Sequence, residues 1–382
     1  MEIPFHKEYH FEQELEYVKD AFDIGVTASD GKYTSKAKAL LKDKFGFQEV
    51  YMTTSATHAL EMAALILDFK QGDEVILASF NFPSAANCIV LRGATPVFVD
   101  LDPKTMNISP EEIEKNISSK TKAIIVMHYA GIACDMDKIM EISKKYKLPV
   151  IEDAAQALGS KFYDKNLGSM GDMACISFHS TKNFIAGEAG CLIINRKDKE
   201  WLKKAEIIRQ KGTNRQDLIN GKVSKYEWVD QGSSYCPSEI LMAVLCSQLE
   251  NFDRINSKRK KLASIYLERL SKKKYKNYFR PMILPEYANS NNHIFYIITK
   301  NKIIRDELQT FLKKHNIGSA FHFIPLHNSI MGKKYGFESN ELKYTDNLSQ
   351  RLLRLPLYNA ISEKEINYVC DYIDNFVGEQ IL

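Results

Sequence analysis

Lys182 lies in the polar turn Ser177-Phe178-His179-Ser180-Thr181-Lys182-Asn183, directly after the strand-like run Ala174-Cys175-Ile176-Ser177-Phe178. A lysine set there and partly removed from water has a lowered pKa and is usable as a nucleophile and a base. Three other strand ends carry groups that complement it. Thr53-Thr54-Ser55-Ala56-Thr57-His58 places small hydroxyl residues and free backbone N–H groups at a helix start, a ready phosphate site. Phe80 and Phe82 follow Val75-Ile76-Leu77 and offer a flat face for stacking. Asp153 follows Val150-Ile151, and a carboxylate at the end of a buried strand needs a partner, for which a protonated ring nitrogen would serve. Each has an ordinary explanation alone: a solvated loop lysine, N-capping by Ser55 or Thr57, aromatic core packing, a structural salt bridge at Asp153. Together they make the inventory of pyridoxal phosphate, with its phosphate, its stacking ring, its pyridine nitrogen and its Schiff-base lysine. No GxGxxG and no Walker lysine occurs, which disfavours a dinucleotide or nucleoside triphosphate at this loop.

The elements that must hold these groups alternate regularly. Helices are expected over 11–22 and 34–45. Strands then come at 50–52, 74–77, 96–99, 123–127 and 149–151, with helices over 57–69, 83–91 and 135–146 between them. Ser109-Pro110-Glu111-Glu112 is a strong helix start. Apolar strands separated by helices predict an α/β fold with a mostly parallel sheet, and ligands bind such sheets beyond the carboxyl ends of the strands. The alternation fades after about residue 200. A long helical stretch is expected over 237–270, then a smaller mixed region with strands at 294–298 and 319–323. This divides the chain into a large domain, 1–250, and a small one, 251–382.

The 382 residues are 45% hydrophobic and 26% charged with a net charge of +4, an ordinary globular balance with no electrostatic footprint for nucleic acid. The runs Lys258-Arg259-Lys260-Lys261 and Lys272-Lys273-Lys274 are expected to be solvated helix faces. Seven scattered cysteines without a CxxC pair argue against a disulfide framework and a zinc site. No run approaches the ~18 apolar residues of a membrane span, and a cytoplasmic protein without a metal is expected.

The chain resembles the DegT/DnrJ/EryC1/StrS family of sugar aminotransferases over nearly its whole length. The resemblance is carried by Thr53-Thr54-Ser55-Ala56-Thr57, Gly72-Asp73-Glu74-Val75-Ile76, Glu152-Asp153-Ala154-Ala155-Gln156, Ser177 to Lys182, and Ile324-Pro325-Leu326-His327. A branch making dTDP-4-amino-4,6-dideoxygalactose is closer still, through His128-Tyr129-Ala130-Gly131, Lys211-Gly212-Thr213-Asn214-Arg215 and Gly232-Ser233-Ser234-Tyr235. The resemblance implies a fold type I aminotransferase with a seven-stranded-type sheet and a smaller α/β C-terminal domain. It implies that Lys182 anchors the cofactor, Asp153 faces the pyridine nitrogen, Gln156 lies near the ring hydroxyl and Phe82 stacks. Ala56, Thr57 and Ser177 would contact the phosphate. It further implies L-glutamate as donor, dTDP-4-keto-6-deoxyglucose as acceptor, and a homodimer that shares its active sites.

Two departures stand out. Ser234 and Cys236 replace the asparagine and arginine of a Gly-x-Asn-x-Arg signature contributed across the dimer. Ala189 replaces a glycine in Gly187-Glu188-Ala189-Gly190, tolerable only if its φ is not positive. For the nucleotide diphosphate, Arg215 and Lys225 are the cationic candidates. Asn214, Tyr226, His322 and His327 are further substrate candidates, while His128 and His179 suit hydrogen-bonded core positions. A related sugar dehydratase would carry histidine at position 182, and a non-catalytic relative would be expected to lose Lys182 or Asp153. Amination at C3, or at C4 from the opposite face, stays open.

Overall fold

The structure, a computed structural model, describes residues 1–335 and 342–379. At its centre are seven strands: β1 (Glu49–Thr53), β2 (Glu74–Ala78), β3 (Thr95–Val99), β4 (Thr121–Met127), β5 (Val150–Asp153), β6 (Met173–Ser177) and β7 (Gly190–Ile194). They lie in the order β1-β7-β6-β5-β4-β2-β3. Neighbours are parallel except at β7, which is antiparallel to β1 and β6. The strands expected for this sheet are all present.

Both faces of the sheet are covered, which is why its strands are apolar throughout. Helices α1 (Glu12–Ile24), α2 (Lys32–Phe45), α3 (Ala56–Ile66), α4 (Pro83–Val90), α5 (Pro110–Lys115), α6 (Met136–Tyr146) and α7 (Lys199–Arg209) surround it. Alternate residues take opposite faces. Val75, Leu77, Ile125, Ile151, Cys175 and Leu192 pack with Leu60 and Ala63 of α3 and Ala85 of α4. Ile76, Ala78, Ile124, Val126, Ala174, Ile176 and Ile193 pack on the other side with Leu41 of α2, Ile113 of α5 and Ile139 of α6. Because side chains alternate along a strand, Asp153 shares the face of Ile151, and Ser177 that of Cys175. Both therefore emerge on the side where α3 begins. The local signals act as expected: Pro83 opens α4, and Ser109 caps α5 through the N–H of Glu112 at 3.2 Å.

The expected helix over 237–270 is two helices, α8 (Glu239–Glu250) and α9 (Phe252–Leu270), joined at Asn251. α9 leads to a second sheet, β8 (Phe279–Pro281), β9 (Phe295–Thr299) and β10 (Leu352–Leu355), all antiparallel, beside α10 (Lys302–Lys314) and α11 (Glu363–Glu379). The expected strand over 319–323 is a correction: only Ala320 bridges, to Arg354, because β10 takes the edge of β9. The charged run in α9 is likewise not wholly solvated, since Arg259 is buried. The expected α2 start moves outward to Lys32, where Glu239 supplies a cap from far along the chain. Its carboxylate accepts the N–H groups of Gly31 (3.0 Å), Tyr33 (2.7 Å) and Thr34 (3.1 Å), and the Thr34 hydroxyl.

Glu239→Ala leaves those buried donors without an acceptor. It is expected to destabilise the fold by about 3 kcal/mol, read as a lower urea midpoint at unchanged slope.

Candidate active site

Four strand ends converge in one place. Register puts Thr53 and Ser177 on either side of Gly190, and Asp153 opposite Met127 and Cys175. Gly190 has no room for a side chain: a Cβ there would stand 2.5 Å from the backbone N of Ala56 and 2.8 Å from the carbonyl oxygen of Ile176. This close approach brings the start of α3 down onto the strand ends. Ser55 caps α3 by accepting the N–H of His58 at 3.1 Å. Capping uses the third N–H of the helix, so those of Ala56 and Thr57 remain available to a ligand. The Thr57 hydroxyl is 2.7 Å from that of Ser84, and Ser177 Oγ accepts the His179 N–H at 3.3 Å.

The adjacent carboxylates of β5 have opposite fates. Glu152 is fully buried, with His128 Nε2 at 2.9 Å and the N–H groups of Gly168, Met170 and Gly171 at 2.6 to 2.8 Å. Burial pushes its carboxyl up, but His128 and these N–H groups hold it below the usual range. His128 Nδ1 accepts the Cys134 N–H, so its proton sits on Nε2, facing Glu152. Asp153 is also buried but among the described residues has only the Ala155 N–H, at 3.2 Å. Burial raises its carboxyl above the usual range, against the Ala155 N–H and the more distant charges of Lys182 and His128. It lacks the cation that an ionised, buried carboxylate requires.

Lys182 is half-buried. Removal from water lowers its ammonium to about 8, opposed by the attraction of Asp153 and helped by Arg354. Its turn is fixed by a buried polar net. The Lys182 N–H donates to the His179 carbonyl at 2.8 Å. Asn183 bonds the Asn291 carbonyl and His293 Nδ1, both at 3.0 Å, and its own carbonyl takes the Asn359 amide at 2.9 Å. Arg259 closes this net through Asn359 Oδ1 and the carbonyls of Asn292, His293 and Leu357. Sequence reading missed these residues. The available signal was the polar run Asn289 to His293 directly before an apolar strand, and an arginine in a charge run at a spacing that faces the core.

Phe82 is 55% exposed, with the Phe323 ring 6.2 Å away at a tilt. Gln156 Oε1 accepts the Ala130 N–H at 2.7 Å. His322 bonds the Tyr129 hydroxyl at 2.7 Å and stacks on Phe323. His327 is fully buried, with Nδ1 2.6 Å from Ser79 Oγ and Nε2 3.1 Å from Asp346 Oδ1 without hydrogen-bond geometry. Asn214 holds the Lys225 carbonyl and the Glu227 N–H, and Arg215 holds Gln210. With the exposed Lys225 and Tyr226 they form a loop cluster of their own. Among the described residues no hydrogen bond or ion pair joins these four to Lys182 or Asp153. Ser234 is exposed and bridges Gln210. His179 lies at the surface near Thr181 and Glu188 rather than in the core. Ala189 avoids the left-handed region, which only Gly187 of that run occupies.

Residues 9–374 match the DegT/DnrJ/EryC1/StrS aminotransferase family. The chain belongs to that family. Its members are pyridoxal-phosphate-dependent aminotransferases, and the fold is the fold type I architecture of its structural neighbours. The chain is 30% identical to the GDP-perosamine synthase of Escherichia coli O157:H7, covering 99% of each. Among solved structures it is similar to the aminotransferase TlmJ of Streptoalloteichus hindustanus, with 25% identity, full coverage of both chains and a TM-score of 0.91. It is also similar to Spr1654 of Streptococcus pneumoniae in its PLP form, with 24% identity, full coverage of both and a TM-score of 0.92. The unpaired Asp153 carboxylate, the free N–H groups opening α3, the exposed Phe82 ring and the low-pKa lysine all fit pyridoxal phosphate. No group of His, Cys, Asp or Glu among the described residues could hold a metal. No helix among them is long and apolar enough to cross a membrane.

Two measurements check this geometry. In cofactor-free protein, labelling of Lys182 by an amine-selective reagent should rise through about pH 8 rather than the 10.5 of a free lysine. Gly190→Ala should weaken cofactor binding about tenfold by forcing α3 away from β7, measured by titrating visible absorbance.

Proposed function

We propose that the chain transfers an amino group from L-glutamate to the 4-keto carbon of a nucleotide-linked 4-keto-6-deoxy sugar, the dTDP-glucose derivative first, giving the galacto-configured amine and 2-oxoglutarate. The observation that carries the reading is the pairing of Asp153 with Lys182: a buried carboxylate lacking a cation, beside an amine that burial makes partly neutral at physiological pH.

Bound pyridoxal phosphate supplies an aldehyde that accepts an amine and a ring that takes up the electron pair left when the donor's Cα–H breaks. Asp153 holds a proton on the ring nitrogen, satisfying its own buried charge in doing so. Lys182 Nζ would hold the aldehyde and, as a free amine, would be the base for the Cα proton. The α3 N–H groups of Ala56 and Thr57, with Ser177 Oγ, bind the phosphate. Phe82 stacks on one side of the ring and Gln156 meets its hydroxyl. Lys182 in place of histidine favours transamination over dehydration.

We further propose a homodimer with a shared site. Residues 221–234 are exposed along their whole length, including Trp228 at 79% and Tyr226 at 55%. Large aromatics gathered on a surface segment mark a contact surface. Ser234 lies at its end, placed to donate one hydrogen bond to the partner's cofactor phosphate. Arg215, Lys225, Asn214 and Tyr226 lie along the same surface, suited to a sugar nucleotide diphosphate. The GDP-perosamine synthase relative supports a second reading, a GDP-linked acceptor.

Lys182→Ala is expected to abolish both turnover and the visible absorbance of the lysine-bound cofactor; retained turnover contradicts the assignment. Incubating wild type with L-glutamate and dTDP- or GDP-linked 4-keto sugars, followed by NMR of the products, decides nucleotide, carbon and configuration. Gel filtration is expected to give a dimer, and an active monomer would refute the shared site.

A further inference from the structure

Lys182 stands between two residues that are held from elsewhere in the chain. Asn183, directly after it, belongs to the polar net described above. Ser180, two residues before it, is held from the other end of the molecule: its carbonyl is 3.1 Å from His6 Nε2, across 174 residues of sequence. A carbonyl oxygen only accepts, so this bond requires the ring proton on Nε2. The other bonds here are local. The Ser180 N–H donates to the Gly187 carbonyl at 2.9 Å, the Lys182 N–H to the His179 carbonyl, and the Thr181 N–H to the His179 ring. Among the described residues, only His6 hydrogen-bonds residues 179–181 from outside the loop 177–190.

His6 is itself fixed. Ile3 is buried, its N–H donates to the Asn316 carbonyl at 2.9 Å, and its carbonyl accepts the Gly318 N–H at 2.8 Å. Gly318 approaches so closely that a Cβ there would stand 2.3 Å from the Phe5 backbone N. The Phe5 ring packs 4.8 Å from the Arg354 guanidinium carbon, and the His6 ring meets the Tyr358 ring edge-on at 6.4 Å. Further along, the Tyr9 carbonyl accepts the Gln248 amide of α8 at 3.0 Å. Residues 3–9 are therefore pinned at both ends, with the His6 ring reaching the Lys182 turn between the pins. Burial, helped by Arg259 and His179, holds the ring's pKa below its usual value, against the bond to Ser180 and the charge of Glu8. A neutral ring brings no full charge to the site, so its effect there is one of placement.

We propose that His6 is a positioning residue for Lys182, its hydrogen bond to the Ser180 carbonyl holding the turn so that Nζ stays shielded from water near Asp153. Ser180 is two residues from Lys182 in a tight turn. A carbonyl released there turns toward water and draws the following residues with it. An amine that moves outward regains hydration, and its pKa climbs toward that of a free lysine. A reacting group displaced by ~1 Å also loses much of its rate. This rests on the reading of Lys182 as the cofactor lysine.

The test compares His6→Phe, which keeps a ring and removes the donor, with His6→Gln, whose amide N–H reaches about as far as Nε2. In the whole chain without cofactor, the pH midpoint for labelling of Lys182 by an amine-selective reagent is about 8 in wild type. It is expected to rise by about one unit in His6→Phe and to stay unchanged in His6→Gln. In holoenzyme, His6→Phe should lower kcat about 5- to 20-fold with the KM of each substrate within about twofold, and His6→Gln should recover most of the loss. An unchanged labelling midpoint or an unchanged kcat in His6→Phe overturns the proposal. So does a His6→Gln protein as impaired as His6→Phe, because ring packing would then be the whole effect. One measurement on wild type stands apart from variant folding. NMR of protein carrying isotope-labelled histidine should show the His6 proton on Nε2 at about pH 7.5, and a proton on Nδ1 overturns the proposal. The labelling midpoint needs no turnover, so absent transamination would refute the proposed reaction while the role of His6 is still decided.

Discussion

Two neighbouring carboxylates on β5 organise the molecule. Both are out of water, and neither can be ionised there alone. The chain supplies a full set of donors to Glu152, and they come from His128 after β4 and the turn before β6. This locks three adjacent strands at their ends. Asp153, one residue on and on the other face, receives a single N–H. The difference between them is the difference between structure and function: one charge is answered by the fold, and the other is left for a ligand. The same polarity extends outward. Lys182 is held by its backbone and by the Asn183 net while its amine stays uncommitted, and Phe82 stays exposed.

The Lys182 turn is also held by residues far along the chain. The turn with Lys182 belongs to the large sheet, but Asn291, His293 and Asn359 that shape it come from the C-terminal part, and Arg259 from α9 binds Asn359 and the carbonyls of Asn292 and His293. Burial of that guanidinium lowers its pKa to about 9, yet four oxygens satisfy it. His327, bonded to Ser79 Oγ, adds a second tie. The position of Lys182 is thus tied to residues 259–359 through a few named hydrogen bonds.

Most of the large sheet was legible because parallel βα units write a plain alternation of apolar runs and helix caps, and because strand ends are where chemistry must occur. Lys182, Asp153 and the α3 start were legible for that reason. β7 was not named as a strand, since it turns back without a crossover helix to announce it. The C-terminal sheet was half legible. Ser319 to Phe323 has strand composition, but the edge it would take belongs to Leu352–Leu355, a choice made by tertiary packing rather than local pattern. Charge misled at Arg259, where three flanking lysines suggested a solvated face. The motif Ile324 to His327 marked a true landmark whose histidine turned out to be a fastening.

The cap that Glu239 places on α2 ties together residues about 205 apart in sequence. During synthesis, α1 and α2 leave the ribosome long before α8, the helix they pack against and from which their cap comes. The part of their surface that faces α8 has no native neighbour until then. The packing of α1 and α2 is therefore completed only once α8 has been made. Late docking of an early segment lengthens the interval in which holdase chaperones bind and in which two nascent copies can entangle.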